Sequence, residues 1–263
     1  MNKHRIEQSF DDAAAAYDRH AVIQRVAARH LADRIQARWP HLNRIVEIGC
    51  GTGNLTQWLA QSYPVADYLA TDLAPSMLEA CARRMGSRLR YAQMDGEQAE
   101  CAGHDLVASS LAFQWFDDPL GAIRRLHAQG VRLGIATLAE GTFAEWKAAH
   151  TQLGLEDGVL PFPSESAFQD LALDLGATVE FETIQESYPQ AMDFVRALKG
   201  IGAGTPRPGH RPAPLGKVLR RFPDGITVSY RVAYILVPTP EADEDSVTCS
   251  KTDSKARMGS RSR

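Results

Sequence analysis

The sequence lacks any apolar stretch long enough to span a bilayer, and its polar beginning, Asn2–Arg5, does not resemble a secretory signal. It is also poor in cysteine, with only Cys50, Cys81, Cys101 and Cys249. These four form no CxxC pair and no zinc-binding spacing. We therefore expect a cytoplasmic protein with reduced thiols, no membrane segment and no metal site.

The chain also lacks an excess of charge of either sign. Its formal net charge is -3 over 263 residues, and acidic and basic residues are interspersed over most of its length. An extended basic region and an Asn-Pro-Pro-Tyr-like base pocket are both missing, so we expect no nucleic-acid partner, although a small RNA substrate stays open. Because 44% of the residues are hydrophobic, one sizeable core is expected.

Apolar periodicity predicts an α/β fold. Helical spacing of apolar residues predicts two helices between Phe10 and Trp39. After them, short strands alternate with amphipathic helices. The predicted strands lie near 44–48, 66–71, 88–93, 105–110, 131–138, 178–188 and 226–237. We expect a doubly wound, mostly parallel seven-stranded sheet with helices on both faces, similar to a Rossmann fold, and the last two strands should form an edge pair.

The pattern predicts one domain over residues 1–237, with the helices of residues 1–40 as a lid. Residues 204–214 contain too much proline and glycine for regular structure, which predicts a mobile loop. Residues 238–263 are polar and almost free of large apolar side chains, so they cannot bury enough surface to offset their ordering entropy. We expect this tail to be disordered.

A glycine-rich turn carries the main functional signal. The segment Glu47-Ile48-Gly49-Cys50-Gly51-Thr52-Gly53-Asn54 lies between the first strand and a helix, where glycines let a ligand approach the backbone closely. A dinucleotide fingerprint requires glycine at the position of Asn54, and no P-loop lysine is present. The spacing therefore argues against NAD and FAD.

Two acidic residues follow the next two strands. Asp72 ends the second strand about twenty residues after the glycine turn, where a carboxylate can accept hydrogen bonds from both hydroxyls of a ribose. Asp95 follows the third strand, where a carboxylate can accept a hydrogen bond from an adenine amino group. The structural alternative is a glycine turn used only for tight packing, with Asp72 as a helix cap.

Together these elements resemble the pattern of class I S-adenosylmethionine-dependent methyltransferases. In that family an acidic residue and a Gly-x-Gly-x-Gly turn hold the methionine part of the cofactor, and the acids after strands two and three hold the ribose and the adenine. The resemblance implies S-adenosylmethionine as the cofactor. The residues assigned to it are Glu47, Gly49, Gly51, Gly53, Asp72 and Asp95.

Over residues 6–237 the chain resembles the malonyl-acyl-carrier-protein O-methyltransferases of biotin synthesis. The segments that carry the resemblance are the run from Phe10 to Gln24, Asp72–Leu78, Ser110–Trp115 and Leu198–Ala203. The pair Gln114-Trp115 and the segment Leu198–Ala203 are the most restricted of these. The proline-rich loop 204–214, the tail and the connection 97–104 depart from the family pattern, which leaves substrate details open.

The resemblance implies methyl transfer from S-adenosylmethionine to the free carboxylate of malonyl-acyl-carrier protein or malonyl-CoA, giving the methyl ester that primes pimeloyl synthesis. A malonyl carboxylate is ionised at neutral pH, so the reaction mainly requires alignment and exclusion of water. The candidate positioning residues are Tyr17, Gln114, Trp115 and Lys199, with Tyr230 and Arg231 as further candidates. Tyr230 and Arg231 point to opposite faces of a strand, so at most one should face the site.

Other interpretations remain open at this stage. Tyr17 also fits an apolar helix face, and Lys199 also fits the end of a solvated helix. The alternative functions are another small-molecule carboxyl or quinone-precursor methyltransferase, and a non-catalytic nucleotide-binding or interaction protein. The presence of Glu47, Asp72 and Asp95 together disfavours the non-catalytic alternative.

A basic segment suggests where an acidic partner docks. No acidic residue interrupts the stretch from 207 to 222, and its basic residues are Arg207, His210, Arg211, Lys217, Arg220 and Arg221. Acyl-carrier proteins are acidic, so this stretch is a candidate docking surface, and the alternative is a solubilising surface segment.

Overall fold

Helices and strands alternate along the chain up to residue 237. The computed structural model describes residues 2–204, 209–210 and 213–240. The helices are α1 (Lys3–Ala13), α2 (Tyr17–His20), α3 (Val22–Arg38), α4 (Thr56–Ser62), α5 (Pro75–Met85), α6 (Pro119–His127), α7 (Ala144–Gln152), α8 (Glu165–Leu175), α9 (Ala191–Gly200) and α10 (Leu215–Leu219). The strands are β1 (Arg44–Ile48), β2 (Asp67–Asp72), β3 (Arg90–Gln93), β4 (Leu106–Ser110), β5 (Arg132–Leu138), β6 (Thr178–Tyr188) and β7 (Ile226–Val237).

The seven strands form one sheet in the order β3-β2-β1-β4-β5-β7-β6. The first five pair in parallel, with Val46 of β1 opposite Leu69 of β2 and Val107 of β4. Strand β7 pairs antiparallel with β5 and β6 and completes one edge. Nearly every residue of β1, β4 and β5 is buried, as parallel strands covered on both faces require. The predicted sheet, including its terminal strand pair, is confirmed.

Each face of the sheet is covered by its own helices. Because side chains alternate along a strand, Ile45 packs into the cluster that contains α3, and Val46 packs into the opposite cluster with α6 and α8. Ile35 of α3 and Ile123 of α6 are fully buried on their respective faces. The expectation of helices on both faces is therefore confirmed.

The N-terminal region differs from the sequence prediction, because it forms three helices where two were expected. Helix α1 starts at Lys3, after Asn2, whose side-chain oxygen accepts a hydrogen bond from the Arg5 N–H at 3.2 Å. Only Ile6 and Ala13 are buried along this helix, so apolar periodicity does not reveal its first turns. Within the described residues, no helix is both long and apolar enough to cross a bilayer.

Two predictions concern segments that the structure describes only in part. Of the loop predicted at 204–214, residues 205–208 and 211–212 lie outside the described residues, so its mobility stays a prediction. Of the predicted tail, only residues 238–240 are described, and they continue without regular structure after β7.

Candidate active site

The cofactor candidates meet at the carboxyl ends of the parallel strands, on the side where β1 and β4 run next to each other. Loops after β1, β2, β3 and β4 line a cavity of about 890 Å³ that includes its open mouth. Helices α1 to α3 contribute Lys3, Ile6, Phe10, Tyr17 and Gln24 to its wall. This is the position at which open α/β sheets bind their ligands, because the connections from β1 and β4 leave in opposite directions.

The glycine turn after β1 serves both packing and access. Gly49, Gly51 and Gly53 adopt φ values of 71°, 54° and 92°, a left-handed region that favours glycine. A Cβ on Gly49 would lie 2.4 Å from the Cβ of Ala112, so this glycine lets two loops pack together. A Cβ on Gly51 would meet no described atom within 4 Å, since Gly51 faces open space in the cavity.

Glu47 places a carboxylate in the cavity wall at 1% exposure. Its Oε2 accepts hydrogen bonds from Thr56 Oγ1 at 2.7 Å and from the Tyr68 hydroxyl at 2.5 Å. Both bonds end on Oε2, which leaves Oε1 for a ligand. Burial, together with the nearby charge of Asp72, raises the pKa of Glu47 to about 7, although the hydrogen bonds from Tyr68 and Thr56 lower it. A buried carboxylate with a spare oxygen is suited to binding an ammonium group.

Asp72 joins the glycine turn to the end of β2. Its Oδ2 accepts a hydrogen bond from the Gly51 N–H at 2.8 Å, and its Oδ1 accepts one from the Ala74 N–H at 2.9 Å. Burial raises the pKa of Asp72 to about 6, although these backbone bonds act in the opposite direction. Each oxygen keeps a further lone pair, so the carboxylate can accept hydrogen bonds from two neighbouring hydroxyls.

Asp95 lies at the far end of the cavity and caps a short 3-10 turn, Gly96–Gln98, by accepting a hydrogen bond from the Glu97 N–H at 3.1 Å. Its Oδ2 also accepts from Lys3 Nζ at 2.5 Å, and Lys3 lies 2.9 Å from Glu97 Oε2. Helix α1 therefore crosses this end of the cavity. Sequence reasoning missed Lys3, because a lysine in a polar segment gives no signal of such a contact.

Two further polar contacts hold the N-terminal helices over the cavity. Asp11 accepts a hydrogen bond from the Ser76 N–H at the start of α5 at 2.9 Å. Asp18 accepts one from Thr52 Oγ1 of the glycine turn at 2.6 Å, and it also pairs with Arg84 of α5. The three helices thus cover the cofactor cavity in the way a lid would. The role of residues 1–40 as a lid stays a prediction.

A second cavity of about 1290 Å³, again including its open mouth, adjoins the first. Its walls come mainly from the loop 157–162, the segment 111–115, and α9 with the residues that follow it. They are mostly apolar, with Phe143, Trp146 and Phe162 among them. Five residues line both cavities, namely Phe10, Tyr17, Gln24, Leu111 and Trp115. Two ligands, one bound in each cavity, would therefore meet at these five side chains, which we call the junction.

Comparison with known proteins identifies the family. A family model described as a methyltransferase domain matches residues 45–129. The malonyl-acyl-carrier-protein O-methyltransferase of Magnetococcus marinus is 34% identical over 236 residues, covering 84% of this chain and 87% of that protein. This chain belongs to the malonyl-acyl-carrier-protein O-methyltransferase family. The expected family and class I methyltransferase fold are thereby confirmed.

Two further matches are similar to this chain, one in sequence and one in fold. The biotin biosynthesis bifunctional protein BioCD of Bordetella avium is 43% identical over 239 residues, covering 87% of this chain and 51% of that protein. The chain therefore spans about half the length of this relative. The magnesium protoporphyrin IX methyltransferase of Synechocystis PCC 6803 with bound SAH superimposes with a TM-score of 0.52 at 15% identity, covering 81% of this chain and 83% of that one. This likeness shows the shared fold.

The structure brings the four predicted positioning residues of this family member to the second cavity. Tyr17 and Trp115 lie at the junction, and the Trp115 ring contacts that of Phe10 edge-on at 5.5 Å between centroids. Gln114 lines the second cavity but not the first. Its amide nitrogen donates to the Leu111 carbonyl at 2.5 Å, and its amide oxygen accepts from Thr137 Oγ1 at 3.3 Å. Lys199 is exposed and lines the same cavity near the end of α9.

The two candidates on β7, Tyr230 and Arg231, point to opposite faces of the sheet, as the alternation of side chains along a strand predicts. Tyr230 is buried and lines the second cavity. Arg231 points to the other face, where its Nε donates to Glu165 at 2.7 Å and its guanidinium also donates to Thr183 at 3.0 Å. Within the described residues Arg231 lines neither cavity. It supports the packing of α8 against the sheet edge.

Two residues at the second cavity adopt a backbone conformation that the sequence does not reveal. Leu111 and Phe143 have φ values of 54° and 59° without being glycine. The Leu111 N–H donates a hydrogen bond to the Ala136 carbonyl at 2.8 Å, and the Phe143 N–H donates one to the Ser229 carbonyl at 2.7 Å. Such conformations cost about 1–3 kcal/mol and are concentrated at functional sites. Here they turn two apolar side chains into the cavity.

Proposed function

We propose that this chain transfers a methyl group from S-adenosylmethionine to the free carboxylate of a malonyl thioester. The observation that carries the proposal is the junction, where a cavity with acidic groups meets an apolar cavity with a cation at its wall. The relatives named as malonyl-acyl-carrier-protein O-methyltransferases support the same substrate class.

The acidic groups of the first cavity match the polar parts of S-adenosylmethionine. We assign Glu47 to the ammonium group, Asp72 to the ribose hydroxyls and Asp95 to the adenine amino group, with Gly51 providing open space beside the backbone. Asp95 already binds Lys3 and the Glu97 N–H, so the adenine would use a remaining lone pair.

The reaction requires alignment and needs no general base. When bound, S-adenosylmethionine would supply a methyl group on a positively charged sulfur for transfer to a carboxylate oxygen, and the electron pair of the carbon–sulfur bond would remain on sulfur. Burial raises the pKa of Tyr17, so its hydroxyl stays protonated and can donate a hydrogen bond at neutral pH. Phe10 and Trp115 exclude water from the junction, which keeps the carboxylate reactive.

Positive charge outside the second cavity favours a carrier protein over a free acid. Leu215, the first residue of α10, lines the cavity, and the exposed residues Lys217, Arg220 and Arg221 follow it. We call these three the basic face. Arg207 and Arg211, which belong to the same basic segment, lie outside the described residues. An acidic acyl-carrier protein docked on this face would deliver its malonyl group into the adjoining cavity.

Parallel assays with labelled S-adenosylmethionine test the proposal. Malonyl-acyl-carrier protein, malonyl-CoA, free malonate and a quinone precursor are offered separately, and the labelled product is identified. We expect a methyl ester on a malonyl thioester. Labelling of only the free acid or the quinone precursor would overturn this substrate class. Cofactor binding without transfer to any of them would indicate a non-catalytic protein.

The proposed location is the cytoplasm. The cysteines of the described residues, Cys50, Cys81 and Cys101, are all buried free thiols, as expected in a reducing compartment. Cell fractionation with an antibody against the chain would check this location.

A further inference from the structure

Two side chains in the wall of the first cavity carry a buried polar atom with no hydrogen-bond partner among the described residues. They are Gln24, through its amide oxygen Oε1, and Ser110, through its hydroxyl oxygen. Leaving a buried acceptor unpaired costs free energy, so such atoms are uncommon in folded proteins. Two of them in one cavity indicate a ligand that offers hydrogen-bond donors.

The fold places both side chains on the same face of the sheet as Glu47. Glu47 of β1 lies opposite Ala108 of β4, so the side chains of Glu47 and Ser110 project from one face. Helix α3 covers this face, since its residue Ala28 packs in one cluster with Ala108. Gln24 lies one turn before Ala28, and both line the first cavity. The first turn of α3 and the ends of β1 and β4 therefore meet at this part of the cavity wall.

The two ligands of the proposed reaction differ in what they can donate here. An ionised malonyl carboxylate and its thioester carbonyl offer only acceptors. In S-adenosylmethionine, Asp95 and Asp72 are assigned to the adenine amino group and the ribose hydroxyls, which leaves the ammonium group of the methionine part. Gln24 also lines the second cavity, so it lies at the end of the first cavity where the methionine part would meet the substrate.

We infer that Gln24 and Ser110 complete, with Glu47, the binding site for the ammonium group of the cofactor, an inference that rests on the cofactor assignments of the proposed function. An ammonium group has three N–H donors, and the acceptors are Gln24 Oε1, Ser110 Oγ and Glu47 Oε1. Thr56 and Tyr68 bind the other oxygen of Glu47. Because Gln24 belongs to α3, the bound ammonium group joins the N-terminal helices to the sheet.

Calorimetry with two ligands and three variants of the full chain tests this site. S-adenosylhomocysteine carries the ammonium group, and its deamino analogue keeps the carboxylate, the sulfur and the adenosine. Gln24→Met and Ser110→Ala each remove one acceptor with little change of size, and Gln36→Met is the matched control. Gln36 lies on the same helix, is exposed and lines neither described cavity. Thermal unfolding confirms that each variant is folded.

We expect Gln24→Met and Ser110→Ala each to weaken binding of S-adenosylhomocysteine about 10- to 100-fold, because each loses a hydrogen bond to a charged group. Affinity for the deamino analogue should change by no more than about twofold, and Gln36→Met should bind both ligands as the wild type does. A variant that keeps the wild-type affinity for S-adenosylhomocysteine would overturn the assignment of its residue. Equal losses on both ligands would also overturn it, since a structural role weakens both alike.

The inference can fail separately from the proposed function, because the binding test needs no methyl acceptor. If the expected binding pattern is found but malonyl thioesters are not methylated, the proposed substrate is wrong and the ammonium site stands. If malonyl thioesters are methylated but the Gln24 and Ser110 variants bind S-adenosylhomocysteine like the control, the ammonium site is wrong and the proposed function stands.

Discussion

The position of Glu47 predicts that cofactor binding releases a proton near neutral pH. Burial raises the pKa of this carboxyl to about 7, so roughly half of the free protein carries the protonated form at that pH. An ammonium group bound beside Glu47 favours the charged form and lowers the pKa again. The free protein therefore holds more protons than the complex, and affinity should rise with pH.

The size of the effect follows from the two raised pKa values. Below pH 7, binding first requires deprotonation of Glu47, so the affinity for S-adenosylmethionine should fall about tenfold for each pH unit. Below about pH 6, Asp72 becomes protonated as well, because burial raises its pKa to about 6, and the fall should steepen. Above pH 8 both carboxyls are ionised in the free protein, so the affinity should level off.

Calorimetry in two buffers with different ionisation enthalpies measures the released protons directly. At pH 7 we expect about half a proton per bound cofactor, mostly from Glu47. Glu47→Gln should weaken binding by about 1.5–3 kcal/mol and abolish most of the release, because the neutral amide cannot form the charge-assisted bond. Tyr68→Phe is a useful second variant. The Tyr68 hydroxyl lowers the pKa of Glu47, so removing it should move the transition to higher pH.

Constant affinity from pH 6 to pH 8 in the folded wild type, or a heat of binding that does not depend on the buffer, would contradict proton release from Glu47. A Glu47→Gln variant that keeps both the affinity and the proton release would remove Glu47 from the cofactor site.

Three further predictions concern the cofactor, the substrate and the carrier. Asp72→Ala should weaken S-adenosylmethionine binding by about 1.5–3 kcal/mol, as measured by calorimetry, because it removes an acceptor from buried hydroxyls. Lys199→Ala should leave cofactor binding intact and raise the KM for the malonyl thioester, as measured by initial rates. Arg220→Glu combined with Arg221→Glu should lower kcat/KM far more with malonyl-acyl-carrier protein than with malonyl-CoA, and added salt should reduce the wild-type preference for the carrier.

Each of these three predictions has a control variant and a result that would contradict it. Asp72→Asn keeps one acceptor oxygen and should bind better than the alanine variant, and unchanged affinity in a folded Asp72→Ala protein would exclude the ribose role. Lys199→Arg should retain much of the activity, whereas unchanged catalytic efficiency in Lys199→Ala would rule out a part in substrate binding. For the basic face, Arg83→Glu on the exposed side of α5 is a charge reversal away from that face and should affect both substrates little. Equal losses on both substrates in the Arg220 and Arg221 variant would mean that the carrier docks elsewhere.

The sequence by itself determined the sheet and the ends of its strands. Strand and helix patterns are local, so all seven strands were located within a few residues, including the edge pair β6 and β7. Parallel strands place their carboxyl ends at one edge of the sheet, so Glu47 and Asp72 at the ends of β1 and β2, and Asp95 just after β3, were bound to converge. The N-terminal helices were less predictable, because α1 buries little and leaves a weak apolar period.

Only the tertiary structure decided how the lid and the junction are assembled. Lys3 meets Asp95 across 92 positions of sequence, and Asp18 meets Thr52 across 34, so no local pattern reports either contact. The free amide of Gln24 and the bound amide of Gln114 are likewise the same residue type, and only their surroundings distinguish them. Packing of distant segments decides which side chains keep an unused donor or acceptor, and that information lies in the fold.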